Sequence, residues 1–384
     1  MNAARALTVL SVAVLMSVSA LAQTSSTPQS AQRARPDTAA SKDRSTPTPV
    51  LPAALQSVFQ KTRPASLELL ACQNVVCAEP DGIGSGVLIS ADGSVLTAYH
   101  VVYDSKLLVA VTLDKKRYPV TVVGFDEAHD LALLKINIQN APFVPLAAQP
   151  PKVGQPALAI GNAGGNFLLP KSGQLLGLDT GSERADFPSG TLKMSAPLMP
   201  GDSGGPILNS EGQLIGITSY ISVEGSMQQP NITSYAVPVS QGSSLLSDLK
   251  SGVKREAPVV GVDASGLPDG TLPASVLQDL GLGSTVGFLF TGVVAGGPAD
   301  KAGLHPLTPT AFDKNRVPTH ATADVITAVD GQRVQNYIEF LNAVRGHQVG
   351  ERVTLTVIRN GNSTPLKIPV TLAPRTILLS SQSR

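Results

Sequence analysis

The sequence predicts a mainly β protein, with β-barrels in the larger part of the chain and a smaller α+β domain after them. Short apolar runs alternate with turn residues across residues 82–246, a pattern typical of sandwiches and barrels. The 384 residues include 35 glycines and 30 prolines, above the usual frequencies of ~7% and ~5%. A polar stretch at 251–256 separates a first block, 51–250, from a second, 258–374.

The strands and helices follow from local patterns. Runs bounded by Gly, Asp, Asn or Pro predict strands, which include 86–90, 94–98, 108–112, 131–136, 157–160 and 214–218. Helical periodicity is confined to a few segments, at 240–250, 273–282 and 336–345. A strand at 353–359 precedes Asn360-Gly361, a hairpin signal. Trp is absent and aromatic residues make up 4% of the chain, so the cores must be aliphatic.

Composition excludes several classes of protein. The 29 basic and 28 acidic residues give a net charge of +1, so no overall field attracts nucleic acid or anionic lipid. With 42% hydrophobic and 15% charged residues, the chain is not a charge-rich disordered protein. No set of side chains has the spacing of a metal site, and we expect neither a metal nor a cofactor.

The first 50 residues are predicted to contain an export signal followed by a linker. Arg5, the uncharged run 6–21 and the small-residue site Ala20-Leu21-Ala22 form a signal peptide over 1–22, and the alternative is a retained membrane anchor. Residues 23–50 are rich in Ser, Thr, Pro and Ala, which predicts a disordered linker. Residues 375–384 form a tail. We therefore expect a periplasmic or secreted protein.

Cys72 and Cys77 are the only cysteines. Two cysteines supply half of a zinc site at most, so in an exported protein this pair predicts a small disulfide loop. Such a short loop would constrain the unfolded chain by only about 2 kcal/mol.

The strongest chemical signal is Pro200-Gly201-Asp202-Ser203-Gly204-Gly205-Pro206. A nucleophilic serine needs a tight turn that exposes its hydroxyl, and glycines permit such a turn. The backbone N–H groups of the same turn can stabilise an oxyanion. Ser203 is the predicted nucleophile, with the N–H groups of Gly201, Asp202 and Ser203 as the oxyanion donors.

A serine hydroxyl needs a base, and the base needs an acid that orients it. His100 follows the strand 94–98 and is the best-placed base. Asp130 enters the apolar strand 131–136 and is the predicted acid, with Asp126 as its rival. The order His100, Asp130, Ser203 is that of the chymotrypsin-like double β-barrel.

These residues lie in stretches that resemble the HtrA/Deg family of serine proteases. The matching stretches are 82–89, 97–102, 129–136, 159–162, 200–206 and 235–240. The resemblance implies ATP-independent degradation of unfolded or damaged envelope proteins, and a homotrimer. Two positions depart from the family pattern, because Asp202 and Ala98 stand where the family usually has Asn. A non-catalytic peptide-binding chaperone or scaffold, or a narrow-specificity signalling protease, is the alternative.

Specificity is predicted from the residues before and after the nucleophile. Pro197 stands where a trypsin-like enzyme carries the aspartate that binds Arg or Lys. The other predicted walls of the pocket are Leu198, Met199, Thr218, Ser219 and Tyr220. We expect small or medium aliphatic side chains before the scissile bond.

The second block resembles a single PDZ domain, which implies capture of peptide C-termini by strand addition. Gly287-Phe288-Leu289-Phe290 is the predicted carboxylate-binding loop, and an ordinary core strand is the alternative. Residues 305–322 form an insertion that contains Pro306, Pro309 and Pro318, and it predicts a mobile surface loop.

Overall fold

A computed structural model describes residues 51–73, 77, 79–103, 105–180, 190–226 and 229–376. The predicted signal peptide, the linker and nearly all of the tail lie outside these residues. The chain divides into two compact units, and the boundary between them along the sequence lies between Glu256 and Ala257. No helix among the described residues is long and apolar enough to cross a bilayer.

The first unit begins with helix α1 (Ala53–Thr62) and a six-stranded antiparallel barrel that closes through the pairing of β5 with β6. Its strands are β1 (Ser66–Cys72), β2 (Gly82–Leu88), β3 (Ser94–Thr97), β4 (Leu107–Val111), β5 (Arg117–Asp126) and β6 (Leu131–Ile136). Strand β6 is buried on both faces, since Leu131, Ala132, Leu133 and Leu134 are each at most 3% exposed. This continuous aliphatic run therefore belongs to the hydrophobic core of the unit.

The second barrel follows in the same unit, with the strand order β10-β11-β12-β9-β8-β7. Its strands are β7 (Pro156–Gly161), β8 (Leu169–Thr180), β9 (Thr191–Met194), β10 (Pro206–Leu208), β11 (Leu214–Ser226) and β12 (Gln229–Pro238). Helix α3 (Ser244–Lys250) comes after it, and helix α2 (Tyr99–Val102) lies in the first barrel. Strand β13 (Lys254–Arg255) then pairs in parallel with the end of β5.

The second unit is an α+β domain around a four-stranded sheet of order β20-β19-β21-β22. These strands are β19 (Asp324–Val329), β20 (Gln332–Arg333), β21 (Arg352–Arg359) and β22 (Leu366–Thr371). The remaining elements are β14 (Pro258–Val259), β15 (Val262–Asp263), α4 (Ala274–Asp279), β16 (Gly292–Val293), α5 (Pro298–Lys301), β17 (Thr308–Phe312), β18 (Pro318–Thr322), α6 (Tyr337–Arg345) and β23 (Ala373–Pro374). The predicted fold class, two barrels followed by an α+β domain, is confirmed.

The 305–322 segment corrects the sequence prediction of a structureless loop. Its two strands, β17 and β18, pair as an antiparallel hairpin. Leu307 and Ala321 are buried in an apolar cluster with α4, and the N–H of Ala321 donates to the carbonyl of Leu280. Prolines are tolerated in strands that pair on one side only, and this pattern resembles a loop when the sequence is considered alone.

Candidate active site

Three loops bring the predicted catalytic side chains together in the first unit. His100 lies on α2, directly after β3, and Asp130 directly precedes β6. Because β3 and β6 are paired, with Thr97 opposite Ala132, the two residues meet at one end of the pair. Asp130 has a φ of +50°, a left-handed conformation that Asp tolerates better than most residues. Ser203 lies in the loop between β9 and β10.

Asp130 holds the imidazole of His100 in a fixed orientation. His100 Nδ1 lies 2.9 Å from Asp130 Oδ2 and 3.0 Å from Oδ1, and the backbone N–H of His100 donates to Oδ1 at 3.0 Å. The carboxylate is buried and the imidazole is 36% exposed. A carboxylate on Nδ1 leaves Nε2 as the basic nitrogen of neutral imidazole, which is the arrangement that a general base requires.

Ser203 and His100 line the same cavity, of about 520 Å³. Ser203 Oγ lies 3.5 Å from the carbonyl oxygen of Ser219. Asp202 and Ser219 are also buried around this site. The predicted nucleophile and the predicted base therefore lie on one cavity.

The backbone of the serine loop is held by bonds to its carbonyl groups. Gly164 N–H donates to the carbonyl of Pro200, and Ser85 Oγ donates to that of Gly201 at 2.7 Å. The N–H of Gly205 donates to the carbonyl of Asp202. Since N–H and C=O of a trans peptide point in opposite directions, these bonds also fix the N–H groups of Gly201 and Ser203. Neither N–H has an acceptor among the described residues.

Asp202 differs from the prediction. Its N–H donates to the carbonyl of Met199 at 3.0 Å, so of the three predicted oxyanion donors only the N–H groups of Gly201 and Ser203 remain available. Its carboxylate is buried and receives bonds from the Met199 N–H and from Lys171 Nζ. Sequence reasoning missed Lys171, because a single lysine in a strand has no local signal.

Of the six predicted pocket residues, five line the cavity, namely Leu198, Met199, Thr218, Ser219 and Tyr220. Pro197 is exposed and is absent from this lining. Leu198 is fully buried, and the ring of Tyr220 stacks on Tyr235 at 4.4 Å. Ser219 has a second contact that the sequence did not reveal, because its hydroxyl donates to Asp130 Oδ2 at 2.5 Å. Ser219 therefore helps to orient the acid.

Asp126, the rival acid, belongs to a separate cluster. It accepts from the backbone N–H of His129 and lies 2.8 Å from His129 Nδ1, and Arg255 Nη1 donates to it at 3.1 Å. Burial alone would raise the pKa of the Asp126 carboxyl, but His129 and Arg255 outweigh it and hold the pKa below its usual value. The carboxylate anchors the turn that leads to Asp130.

This lowered pKa gives a prediction for acid stability. Because Asp126 binds its proton more weakly in the folded state, it stabilises the fold above the unfolded-state pKa of about 3.9, and that contribution is lost as the pH falls further. We expect Asp126→Asn to lower the melting temperature at pH 7 and to show a smaller deficit at pH 3, as measured by circular dichroism. An equal deficit at both pH values would contradict it.

Cys72 and Cys77 are joined in a disulfide, and the residues on either side of Cys72, Ala71 and Gln73, line the cavity. Among the described residues, no group of three His, Cys, Asp or Glu side chains could hold a metal ion.

Comparisons with known proteins agree with this geometry. Residues 84–217 match the trypsin-like peptidase domain family, and residues 258–370 match the PDZ domain family. A probable periplasmic serine endoprotease (DegP-like) of Chlamydia pneumoniae is 33% identical over 303 residues, which cover 78% of this chain and 57% of that protein. This chain belongs to the HtrA/Deg family of serine proteases.

Other HtrA-type proteins support the same assignment. The probable periplasmic serine endoprotease (DegP-like) of Pseudomonas putida strain GB-1 is 30% identical over 303 residues, 77% of this chain and 57% of its own length. The chain thus spans little more than half the length of these relatives. A solved variant of the HtrA-type protease AlgW with a tripeptide has a TM-score of 0.55 and 25% identity, covering 83% of this chain and 97% of that one.

The PDZ domain of this HtrA-type chain does not use Gly287-Phe288-Leu289-Phe290 as an open loop. Phe288, Leu289 and Phe290 are completely buried. The N–H of Phe288 donates to Ile326, and the N–H of Leu289 donates to Gly270. These donors are occupied, so the alternative interpretation, a core segment, is the correct one.

Proposed function

We propose that this chain is a serine endopeptidase that cleaves unfolded or damaged exported proteins without ATP. The observation that carries the proposal is the buried Asp130 carboxylate on Nδ1 of His100, with Ser203 on the same cavity. A protein that only binds peptides has no need of this charge arrangement. The names of its HtrA relatives, which are periplasmic serine endoproteases, agree with this function.

The proposed reaction follows from the positions of these groups. Nε2 of His100 accepts the proton of Ser203 as Oγ attacks the carbonyl carbon of the scissile bond. The N–H groups of Gly201 and Ser203 stabilise the oxyanion, and Asp130 stabilises the imidazolium. The imidazolium then protonates the leaving amine as the C–N bond breaks, which leaves an acyl-enzyme on Ser203. Water, deprotonated by His100, hydrolyses that ester and restores the serine.

The pocket supports a preference for apolar side chains. Leu198 and Tyr220 are both buried and line it, and none of the residues 197–199 carries a charge that could bind Arg or Lys. Small or medium aliphatic residues before the scissile bond fit these walls. A cleavage profile on a peptide library measures which residue precedes the scissile bond and so reports this preference.

We further propose a periplasmic homotrimer. Export rests on the signal peptide that the sequence predicts over 1–22, and the periplasm is the compartment named for the relatives. N-terminal sequencing of the mature protein and sedimentation equilibrium measure the two properties separately.

The function is tested by casein digestion with the mature protein, together with labelling by a serine-directed fluorophosphonate. We expect fragments of casein without added nucleotide, and one label per chain on Ser203. Absence of both would leave a peptide-binding chaperone. Cleavage of a single sequence among many unfolded substrates would instead indicate a signalling protease.

Strand β15 of the PDZ domain offers an open edge for a peptide. Strand β15 pairs with β16 and with no other strand among the described residues. Val262 and Leu341 pack against the same apolar core, so β15 and α6 border one apolar region. A peptide added to β15 would gain backbone hydrogen bonds there and apolar contacts from its side chains.

We expect this domain to prefer apolar peptides with a free C-terminal carboxylate. Charge-assisted hydrogen bonds to a carboxylate contribute about 1.5–3 kcal/mol, so amidation of the last residue should weaken binding by roughly ten- to a hundredfold. Isothermal titration of matched acid and amide peptides ending in Val into the full chain carrying Ser203→Ala measures the difference. Equal affinities would show that the domain binds internal segments.

A further inference from the structure

The carboxylate of Asp202 is a buried charge between the two oxyanion donors. The residue is 2% exposed, and it lies between Gly201 and Ser203 in the chain. Burying an unpaired carboxylate is costly, so the Asp202 side chain stays buried only while hydrogen-bond donors or a cation stabilise its charge. Its two partners are the N–H of Met199, at 2.9 Å, and Nζ of Lys171, at 2.6 Å.

Lys171 reaches the loop from the second barrel. It lies on β8 opposite Ala159 of β7, and its side chain is 16% exposed. Among the described residues its ammonium group is the only cation that contacts Asp202. The barrel wall thus supplies a charge to a loop with three glycines among the seven residues 200–206, and glycine gives a backbone little stiffness of its own.

The carboxylate also has no room to move deeper. A Cβ placed on Gly161, the last residue of β7, would lie 2.3 Å from Asp202 Oδ1 and 2.8 Å from its Cα. The side chain is therefore in close contact with backbone on one face and is held by Lys171 Nζ and the Met199 N–H through Oδ2. Loss of the ammonium leaves rotation toward solvent as the remaining way to hydrate the charge.

We propose that Lys171 is a positioning residue for oxyanion stabilisation. Its ammonium group neutralises the buried Asp202 carboxylate and so keeps the N–H groups of Gly201 and Ser203 directed into the cavity. Rotation of Asp202 would turn the Asp202–Ser203 peptide group, which contains the N–H of Ser203, and would shift Gly201, whose N–H belongs to the preceding peptide group. This role rests on the proposed proteolytic function.

The test compares Lys171→Met, Asp202→Asn and the double variant on a fluorogenic peptide with Val before the scissile bond. Loss of an oxyanion donor typically costs about 10²–10³-fold in kcat, and partial misplacement of two donors in Lys171→Met should cost about 10–100-fold, with KM changed less than about threefold. A peptide boronate, which forms a tetrahedral adduct, should bind more weakly by the same factor as kcat. Lys171→Gln is a second neutral variant in case methionine prevents folding.

The double variant, Lys171→Met with Asp202→Asn, is expected to recover most of the wild-type kcat. Asn at position 202 carries no charge and can still accept from the Met199 N–H, so both Asp202→Asn and the double variant should lie within about threefold of the wild-type kcat. Lys135→Met is the matched control, because it breaks the exposed 2.7 Å pair with Asp92 in the first barrel. Its kcat should equal that of the wild type.

Two results would overturn the role of Lys171: a kcat of Lys171→Met equal to that of the control, or a double variant as slow as Lys171→Met. Both results require that the wild type is active, because each kcat is compared with the wild-type kcat. A wild type that neither hydrolyses the peptide nor reacts with fluorophosphonate would overturn the proposed function itself, and these two failures are distinct.

Discussion

Replacing Ser203 with alanine is expected to abolish proteolysis while the protein stays folded. Loss of a nucleophile of this kind lowers the rate by about 10⁴- to 10⁶-fold, because the acyl-enzyme can no longer form. Among the described residues the hydroxyl makes one hydrogen bond, to the Ser219 carbonyl at 3.5 Å, so its removal should leave the melting temperature almost unchanged. Casein hydrolysis and thermal unfolding measure the two effects.

Ser210→Ala is the matched control for this experiment. Ser210 is exposed, and its hydroxyl bonds only to the neighbouring Glu211. It should keep wild-type activity. Cleavage by Ser203→Ala above a tenth of the wild-type rate would mean that another residue is the nucleophile.

Asp130→Asn is expected to have the second largest effect, a loss of about 10⁴-fold in kcat. An amide at this position can donate to Nδ1 of His100, which stabilises the tautomer with its proton on Nε2, and such an imidazole cannot accept the serine proton. Peptide binding at the PDZ domain, which is a separate compact unit, should be unchanged. Steady-state kinetics at pH 8 and peptide titration measure these two properties.

Asp126→Asn distinguishes the two acids. Both side chains are buried carboxylates beside a histidine, but Asp126 contacts His129, and Asp130 contacts His100. We expect Asp126→Asn to retain at least a tenth of the wild-type kcat at pH 7. A greater loss from Asp126→Asn than from Asp130→Asn would reverse the assignment.

The sequence contained enough information to single out the three side chains that we propose as catalytic, since each has a recognisable local pattern. Their meeting depends on the pairing of β3 with β6, and the order of the three residues along the chain implied it. Lys171 and the hydroxyl of Ser219 could not be predicted in the same way. Their roles arise from contacts with Asp202 and Asp130, 31 and 89 residues away in the chain.

The PDZ domain was predicted correctly, but the assignment of 287–290 as its carboxylate-binding loop failed for a related physical reason. The run 287–290 has the glycine and the apolar residues of a binding loop, but a buried core segment has them too. What decides between these structures is whether distant carbonyls occupy the N–H groups, and here Ile326 and Gly270 do. The hairpin at 308–322 was missed likewise, because its order comes from packing against α4 rather than from its own composition.

The position of β13 fixes where the protease unit can be truncated. The N–H of Phe125 donates to Val253, that of Glu127 donates to Arg255, and Arg255 pairs with both Asp126 and Asp248. A shortened protein that stopped at Lys250 would lose this strand and leave Asp126 without its arginine, four residues before the proposed catalytic acid, Asp130. An isolated protease domain should therefore extend through Glu256, and the polar stretch 251–256 belongs to that domain rather than to a linker.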